Sequence, residues 1–137
     1  MATASVTVNL NHNIQSVWET VTSLEHYAWR SDLDRIEVLN EKQFVEYTKE
    51  GYATTFTITA TELCKRWEFD MDNSNIKGHW IGVFAEKSGQ TEISFTEEAA
   101  AKKIFMKPFV KAYLKKQQKI YVEDLKRELE RKASGMA

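Results

Sequence analysis

From Arg35 to about residue 99, apolar and polar side chains alternate with a period of two, and this pattern constrains the fold more than any other. The stretch divides into six runs, RIEVLN, QFVEYTKE, YATTFTITATEL, KRWEFDMD, IKGHWIGVFAE and TEISFTEEA. Runs rich in β-branched and aromatic residues and joined by short turns are typical of an antiparallel meander. We therefore predict six consecutive strands. The run HWIGVFA is apolar on both faces, so either Trp80 and Phe84 or Ile81 and Val83 face inward.

The segments that flank these runs predict one more strand and three helices. Residues 4–10 alternate and are β-branched, as in a strand. Asn13 is expected to cap a helix over 14–22, and Ser23 a second short helix through LEHYAWRS. Residues from about 100 to 132 predict one long helix. This order predicts an α+β fold, in which a curved antiparallel sheet of six to seven strands wraps around a long C-terminal helix and two short helices follow the first strand.

The long C-terminal segment has a continuous apolar face and contains the sole proline of the chain. Large apolar residues recur every three or four positions from Ile104 to Leu129, with Gln117 as a polar exception. Pro108 lacks an amide N–H, and in a straight helix its ring clashes with the carbonyl of Ile104. Two interpretations stay open: a kink at Pro108 that lifts the first turn off the sheet and leaves a cavity, or a main helix that begins at Pro108 after a separate turn.

The charges are unevenly distributed, although the net charge is only −1. Residues 102–132 hold 11 Lys and Arg against 4 Asp and Glu, whereas residues 1–101 hold 8 against 16. The basic segment could meet an anionic partner or lie against the acidic body. Its polar face also carries the four acids and its apolar face suits the sheet, so we favour sheet cover over membrane contact. The acidic, threonine-rich polar face of the sheet argues against nucleic-acid binding.

The composition indicates one globular domain, residues 1–137, outside the membrane. Its hydrophobic fraction of 42% and charged fraction of 28% are those of a soluble protein. No apolar run approaches the roughly 18 residues of a membrane span, and the N-terminus does not have the pattern of a signal peptide. A single cysteine, Cys64, cannot form an internal disulfide, which suits a reducing compartment. We therefore expect a cytoplasmic location; the sequence leaves the oligomeric state open.

No metal site or catalytic motif is visible in the sequence. The three histidines are scattered, no second cysteine is present, and there is no Gly-rich phosphate loop or nucleophile elbow. We therefore expect neither a metal nor a cofactor. Acid–base chemistry in a cavity would need an inward-facing ionisable group. The candidates for that role are Tyr113, His79, Tyr47 and Arg30.

Three segments resemble a known superfamily, that of the polyketide cyclases/dehydrases and lipid-transport proteins (SRPBCC), which includes START domains and birch-allergen-like proteins. VWETVTSLEHYAWRSDLDRIEVL resembles its early segment, and GHWIGVF followed by SGQTEISF is similar to its paired late strands. FMKPFVKAYLKKQ with DLKRELE is similar to the terminal helix of its bacterial members. The resemblance covers nearly the whole chain and implies the helix-grip fold. It also implies a hydrophobic cavity between sheet and long helix that binds lipids, polyketides or other apolar molecules; a minority of members are enzymes.

The cavity that the resemblance implies leads to three hypotheses about function. We expect binding or transport of a small hydrophobic molecule, with Trp29 and Arg30 at an entrance. The alternative is a polyketide cyclase/dehydrase-type enzyme, which an inward-facing ionisable pair would favour. A collapsed cavity would instead favour a protein that regulates a partner through its charged faces. The residues expected to contact the ligand are Trp29, Phe56, Ile58, Trp67, Phe69, Trp80, Ile93, Phe95, Phe105, Phe109, Tyr113 and Gln117.

Overall fold

Seven antiparallel strands and two α-helices make up residues 1–135, the part of the chain that this computed structural model describes. The predicted α+β class and the seven strands are confirmed. The elements are β1 (Ala2–Leu10), α1 (Ile14–Thr22), β2 (Leu33–Val38), β3 (Gln43–Thr48), β4 (Ala53–Glu62), β5 (Arg66–Asp72), β6 (Ile76–Lys87), β7 (Gln90–Ala101), a 3₁₀ helix (Ile104–Phe109) and α2 (Val110–Ala133).

The strands form one sheet in the order β1–β7–β6–β5–β4–β3–β2. From β2 to β7 each strand pairs with the next one along the chain, so the predicted meander is confirmed. β1 joins the sheet beside β7, where Ala2 lies opposite Ala99. Ser88 and Gly89 connect β6 to β7 with φ angles of 52° and 80°. A two-residue turn with two positive φ angles matches the right-handed twist of its strands, which favours the curvature of the sheet.

One short helix follows β1, so the prediction of two was wrong. The first is α1, and its predicted cap is confirmed because Asn13 Oδ1 accepts a hydrogen bond from the N–H of Ser16 at 2.8 Å. Ser23 does cap a turn, accepting from the N–H of His26 at 3.1 Å, but no helix continues from it. Further along, the Ser31 N–H and hydroxyl both donate to Asp124 of α2 at 2.8 Å. These contacts hold the segment as a chain of turns.

The main C-terminal helix begins at Val110, not near residue 100. Residues before 102 continue β7, and Lys103 is extended, with φ −115° and ψ 126°. Pro108 lies inside the separate 3₁₀ helix, so the kink in a continuous α-helix is wrong and the alternative of a separate preceding turn describes the chain better. Pro108 is tolerated there because it lies two residues before the start of α2, whose hydrogen-bond ladder does not use the N–H that proline lacks.

The helices cover only one half of the concave face of the sheet. α2 packs against β1 and β7, and α1 packs against β6 and β7. Ile93, Phe95 and Leu125 are almost fully buried in the core that this packing creates. Trp80 and Phe84 also point inward, which settles the orientation of β6. No helix within residues 1–135 is both long and apolar enough to cross a membrane.

Candidate functional site

A cavity of about 390 Å³ lies under α2, where the concave face of β3, β4 and β5 is left uncovered. Its volume is within the range of small-molecule sites, roughly 300–1,000 Å³. The loop between α1 and β2 and the inner face of α2 close its sides. Its apolar wall is formed mainly by seven side chains of the sheet: Phe44, Phe56, Trp67, Phe69, Met71, Trp80 and Phe95.

The aromatic rings of this wall hold one another in place. The rings of Phe69 and Trp80 stack with centroids 4.7 Å apart, and those of Phe44 and Phe56 stack at 4.9 Å. The Trp80 ring also lies across Gly82, where a Cβ atom would be only 2.5 Å from it. Residue 82 therefore needs to be glycine for the indole to lie flat along the strand. Rings fixed in this way keep the wall preformed rather than collapsed.

The structure brings together eight of the residues predicted to contact a ligand. Four of the predicted residues lie outside the wall of this cavity. Ile58 packs against the core from β4, and Ile93 is fully buried in it. Phe105 is 73% exposed, and Phe109 lines a neighbouring cavity. Contact of any of these residues with a ligand stays a prediction. Those in the wall are Trp29, Phe56, Trp67, Phe69, Trp80, Phe95, Tyr113 and Gln117.

One end of the cavity is polar and is organised by Arg30. Its guanidinium donates to both carboxylate oxygens of Glu46, at 3.3 and 3.4 Å, and lies 3.3 Å from Asp32. It also sits 5.1 Å above the ring of Tyr121, a geometry that favours cation–π attraction. Burial alone would lower the pKa of Arg30, but Glu46 and Asp32 outweigh it and raise that pKa. This arginine is therefore a fixed positive charge whose partners are already in place.

Glu97 contributes a further carboxyl group to the wall of the cavity. It follows Phe95 on the inward-facing side of β7 and lines the wall. Burial raises the pKa of its carboxyl to about 7, although Gln118 and Arg30 favour the charged form; Glu46 adds to the increase. A carboxyl group with such a pKa exchanges a proton near neutral pH, so it can accept or donate hydrogen bonds.

Glu97 and Glu46 were missed in the sequence, although a signal for both was present. The alternation that places Phe95 inward also places Glu97 inward, and Phe44 sets the same register for Glu46.

The apolar stripe of α2 led to Gln117 as the buried polar residue. The structure buries Gln118 instead, which donates to the Ala4 carbonyl at 3.0 Å.

Two of the predicted acid–base candidates lie away from the cavity. His79 is on the outer face of the sheet, where Nδ1 lies 2.6 Å from Asp70 and Nε2 lies 2.9 Å from Glu68. Tyr47 donates to Glu37 at 3.0 Å. Only Arg30 and Tyr113 line the cavity. Among residues 1–135, no group of three or more His, Cys, Asp or Glu side chains is arranged to hold a metal ion.

A second cavity of about 340 Å³ adjoins the first at the start of α2. Met106, Phe109 and Val110 line it on the helical side. Both cavities share four wall residues, so the two lie side by side along the sheet. The shared residues are Tyr52, Asn73, Ile76 and Tyr113.

The fold is similar to that of several solved structures. A START superfamily protein from Mycobacterium smegmatis superposes with a TM-score of 0.86 at 12% identity, over 96% of this chain and 99% of that one. A conserved protein from Geobacillus kaustophilus gives 0.81 at 9% identity, over 94% and 95%. The di-domain ARO/CYC protein BexL of the BE-7585A biosynthetic pathway gives 0.81 at 8% identity, over 95% of this chain and 47% of that one. These likenesses show the START-like helix-grip fold.

Sequence comparison identifies the family. No functionally curated protein matches the chain in sequence. The family model described as polyketide cyclase / dehydrase and lipid transport matches residues 1–130. Because that match spans nearly all of the 137 residues, the chain belongs to the polyketide cyclase / dehydrase and lipid transport family.

Proposed function

We propose that this chain binds a small, mostly apolar molecule in the cavity under α2 and orients it by a polar group at one end. The observation that carries the proposal is the division of the cavity into a preformed aromatic wall and a polar end at Arg30, Glu46 and Glu97. Ligand sites of this type are largely apolar with a few convergent polar groups. Membership of a family associated with lipid transport supports the same conclusion.

The polar end favours a ligand group that donates hydrogen bonds. Arg30 and Lys49 are the cationic residues that line the cavity within residues 1–135, and Glu46 and Asp32 already accept the hydrogen bonds of Arg30. Glu97 in its charged form has acceptor capacity left for an incoming hydroxyl or amine. A ligand carboxylate beside Arg30 would instead lie close to Glu46 and Asp32, which already pair with that arginine and would repel a further anion. We therefore propose a molecule with an apolar body and a hydroxyl or amine at one end.

The experiment that tests binding uses the fluorescent apolar dye N-phenylnaphthylamine. Gln117 lies in the cavity wall on α2 and is half-buried, so Gln117→Trp should fill part of the cavity and weaken dye binding by about tenfold. Lys116→Trp adds the same ring at an exposed position of the same helix and serves as the control. Binding that is absent from the unmodified protein, or that both variants leave unchanged, would refute the proposal.

A second candidate function is catalysis of the cyclase or dehydrase type. The specific observation that favours it is the inward-facing ionisable pair of Glu97 and Arg30. A carboxylate whose acid form has a pKa near 7 can remove a proton from a carbon beside a carbonyl, and the neutral acid so formed can donate a hydrogen bond to the enolate. The test is turnover of a soluble β-diketone thioester followed by absorbance. Turnover that Glu97→Gln abolishes supports an enzyme, whereas turnover equal to that in buffer rules out this reaction.

A further inference from the structure

The 3₁₀ helix that precedes α2 exposes large apolar side chains instead of covering the sheet. Ile104 is 86% exposed, Phe105 73% and Phe109 67%. None of the six residues of this helix is fully buried. We call Ile104, Phe105 and Phe109 the apolar tip. Three such side chains close together in sequence and open to solvent indicate an interaction surface.

The apolar tip is surrounded by positive charge. Residues 102–122 contain seven lysines and no acidic residue, and all seven lysines are exposed. Lys102 pairs with Asp72, and Lys103 donates to the side chain of Asn75 at 3.3 Å. The remaining five, which include Lys107 and Lys111 on either side of Phe109, take part in no ion pair within residues 1–135. The surface is therefore both apolar and basic.

We infer that the apolar tip and its lysines form a docking surface for an anionic lipid bilayer. A segment of this composition places its apolar side chains in the headgroup region while its lysines attract lipid phosphates. The position of the tip fits this partner, because Phe109 and Met106 line the second cavity, which adjoins the main one. A bilayer that contacts the tip would lie beside that cavity.

Other occupants fit this surface less well. A symmetric contact between two copies would bring two lysine-rich surfaces together, and their like charges would repel each other. Single-stranded nucleic acid is bound by stacking bases on exposed aromatic rings. The most exposed residue of the tip, Ile104, has no ring. A bilayer uses both the aliphatic and the aromatic side chains.

The test measures co-sedimentation of the full chain with vesicles, and it does not depend on the ligand of the cavity. We expect binding to mixed phosphatidylcholine–phosphatidylglycerol vesicles that weakens with salt, and little binding to phosphatidylcholine alone. The variant Phe105→Ser/Phe109→Ser should weaken binding by about tenfold or more. Leu63→Ser is the matched control, because Leu63 is 75% exposed in the turn between β4 and β5. Lys107→Glu/Lys111→Glu should weaken binding similarly, with Lys126→Glu as its control.

Several results would overturn the inference. Vesicle binding that is absent, or that the tip variants and Leu63→Ser affect equally, removes the docking surface. A dimer in solution that Phe105→Ser/Phe109→Ser dissociates would assign the tip to a second copy instead. Binding of a single-stranded oligonucleotide that displaces the vesicles would assign it to nucleic acid. Dye binding by Lys107→Glu/Lys111→Glu separates this inference from the proposed function, since these exposed lysines line neither cavity and their replacement should leave dye affinity unchanged.

Discussion

Replacing Glu97 by glutamine tests whether the carboxyl group in the cavity shapes the pH dependence of stability. Its pKa in the folded chain is raised to about 7 from an ordinary 4.5, chiefly by burial. Between these two values the folded chain holds a proton that the unfolded chain has released. The free energy of unfolding therefore falls as the pH rises through this window. Below about pH 4.5 and above about pH 7 the group adds no further slope.

The size of this effect follows from the same two values. A difference of one pKa unit corresponds to about 1.4 kcal/mol, so Glu97 costs the folded chain about 3 kcal/mol once it is fully ionised. Glutamine has the shape of the protonated side chain and carries no charge. Glu97→Gln should thus leave stability at about pH 5 nearly unchanged and raise it at about pH 8 by up to about 3 kcal/mol.

The assay is urea denaturation followed by tryptophan fluorescence at several pH values. Glu41→Gln is the control, because Glu41 is exposed in the turn between β2 and β3 and lines no part of the cavity. His79 adds a second pH dependence. Burial lowers its pKa, but hydrogen bonds to Glu68 and Asp70 outweigh burial and raise the pKa above 6.5. The stability that protonated His79 gives the folded chain is therefore lost as the pH rises above about 6.5. That slope is common to both variants and cancels when they are compared.

Parallel stability curves for the two glutamine variants would show that ionisation of Glu97 does not destabilise the folded chain. A Glu97→Gln variant that is less stable than the unmodified protein at about pH 8 would show that the ionised carboxylate is stabilised within the cavity. Burial would then not be the dominant influence on its pKa. A gain at high pH confined to Glu97→Gln is the expected result.

Two further substitutions test contacts that support the residues of the cavity wall. Asp124→Ala should lower the free energy of unfolding by about 1–2 kcal/mol, because it removes a buried acceptor of two hydrogen bonds from Ser31. Urea denaturation measures this loss, and Asp34→Ala is the control at an exposed site. Gly82→Ala should lower the free energy of unfolding by about 1–3 kcal/mol and weaken N-phenylnaphthylamine binding, because the alanine methyl group displaces the Trp80 ring. Unchanged stability and affinity would contradict the close packing of Trp80 on Gly82.

The sheet could be predicted from the sequence because its signal is local. Alternation from Arg35 onward and turn residues such as those at Ser88 and Gly89 determine strands and their neighbours within a few residues. The cap at Asn13 is local as well. The second short helix was wrong because its segment is held by a contact distant in sequence, between Ser31 and Asp124. No pattern within residues 24–32 reports that contact.

The residue at which the long helix begins could not be predicted from the sequence either. Apolar spacing alone cannot distinguish residues that cover a sheet from residues that face solvent. The spacing continues without a break from Ile104 into α2, yet burial begins only at Val110. The chain leaves β7 at Ala101, and the 3₁₀ helix carries it from there to the start of α2. The exposed residues of the apolar tip belong to that connection and not to the sheet cover.

The polar end of the cavity could not be predicted as a site because its members are distant in sequence. Arg30 comes from the loop before β2, Glu46 from β3, and Glu97 from β7. The loop carries Arg30 inward because it is not helical: the adjacent Ser31 is fixed to α2, and the guanidinium is thereby held over Tyr121 of the same helix. Cavity shape and cavity charge therefore depend on one structural feature, the attachment of this loop to α2. A change that loosens the attachment should alter ligand affinity and stability together.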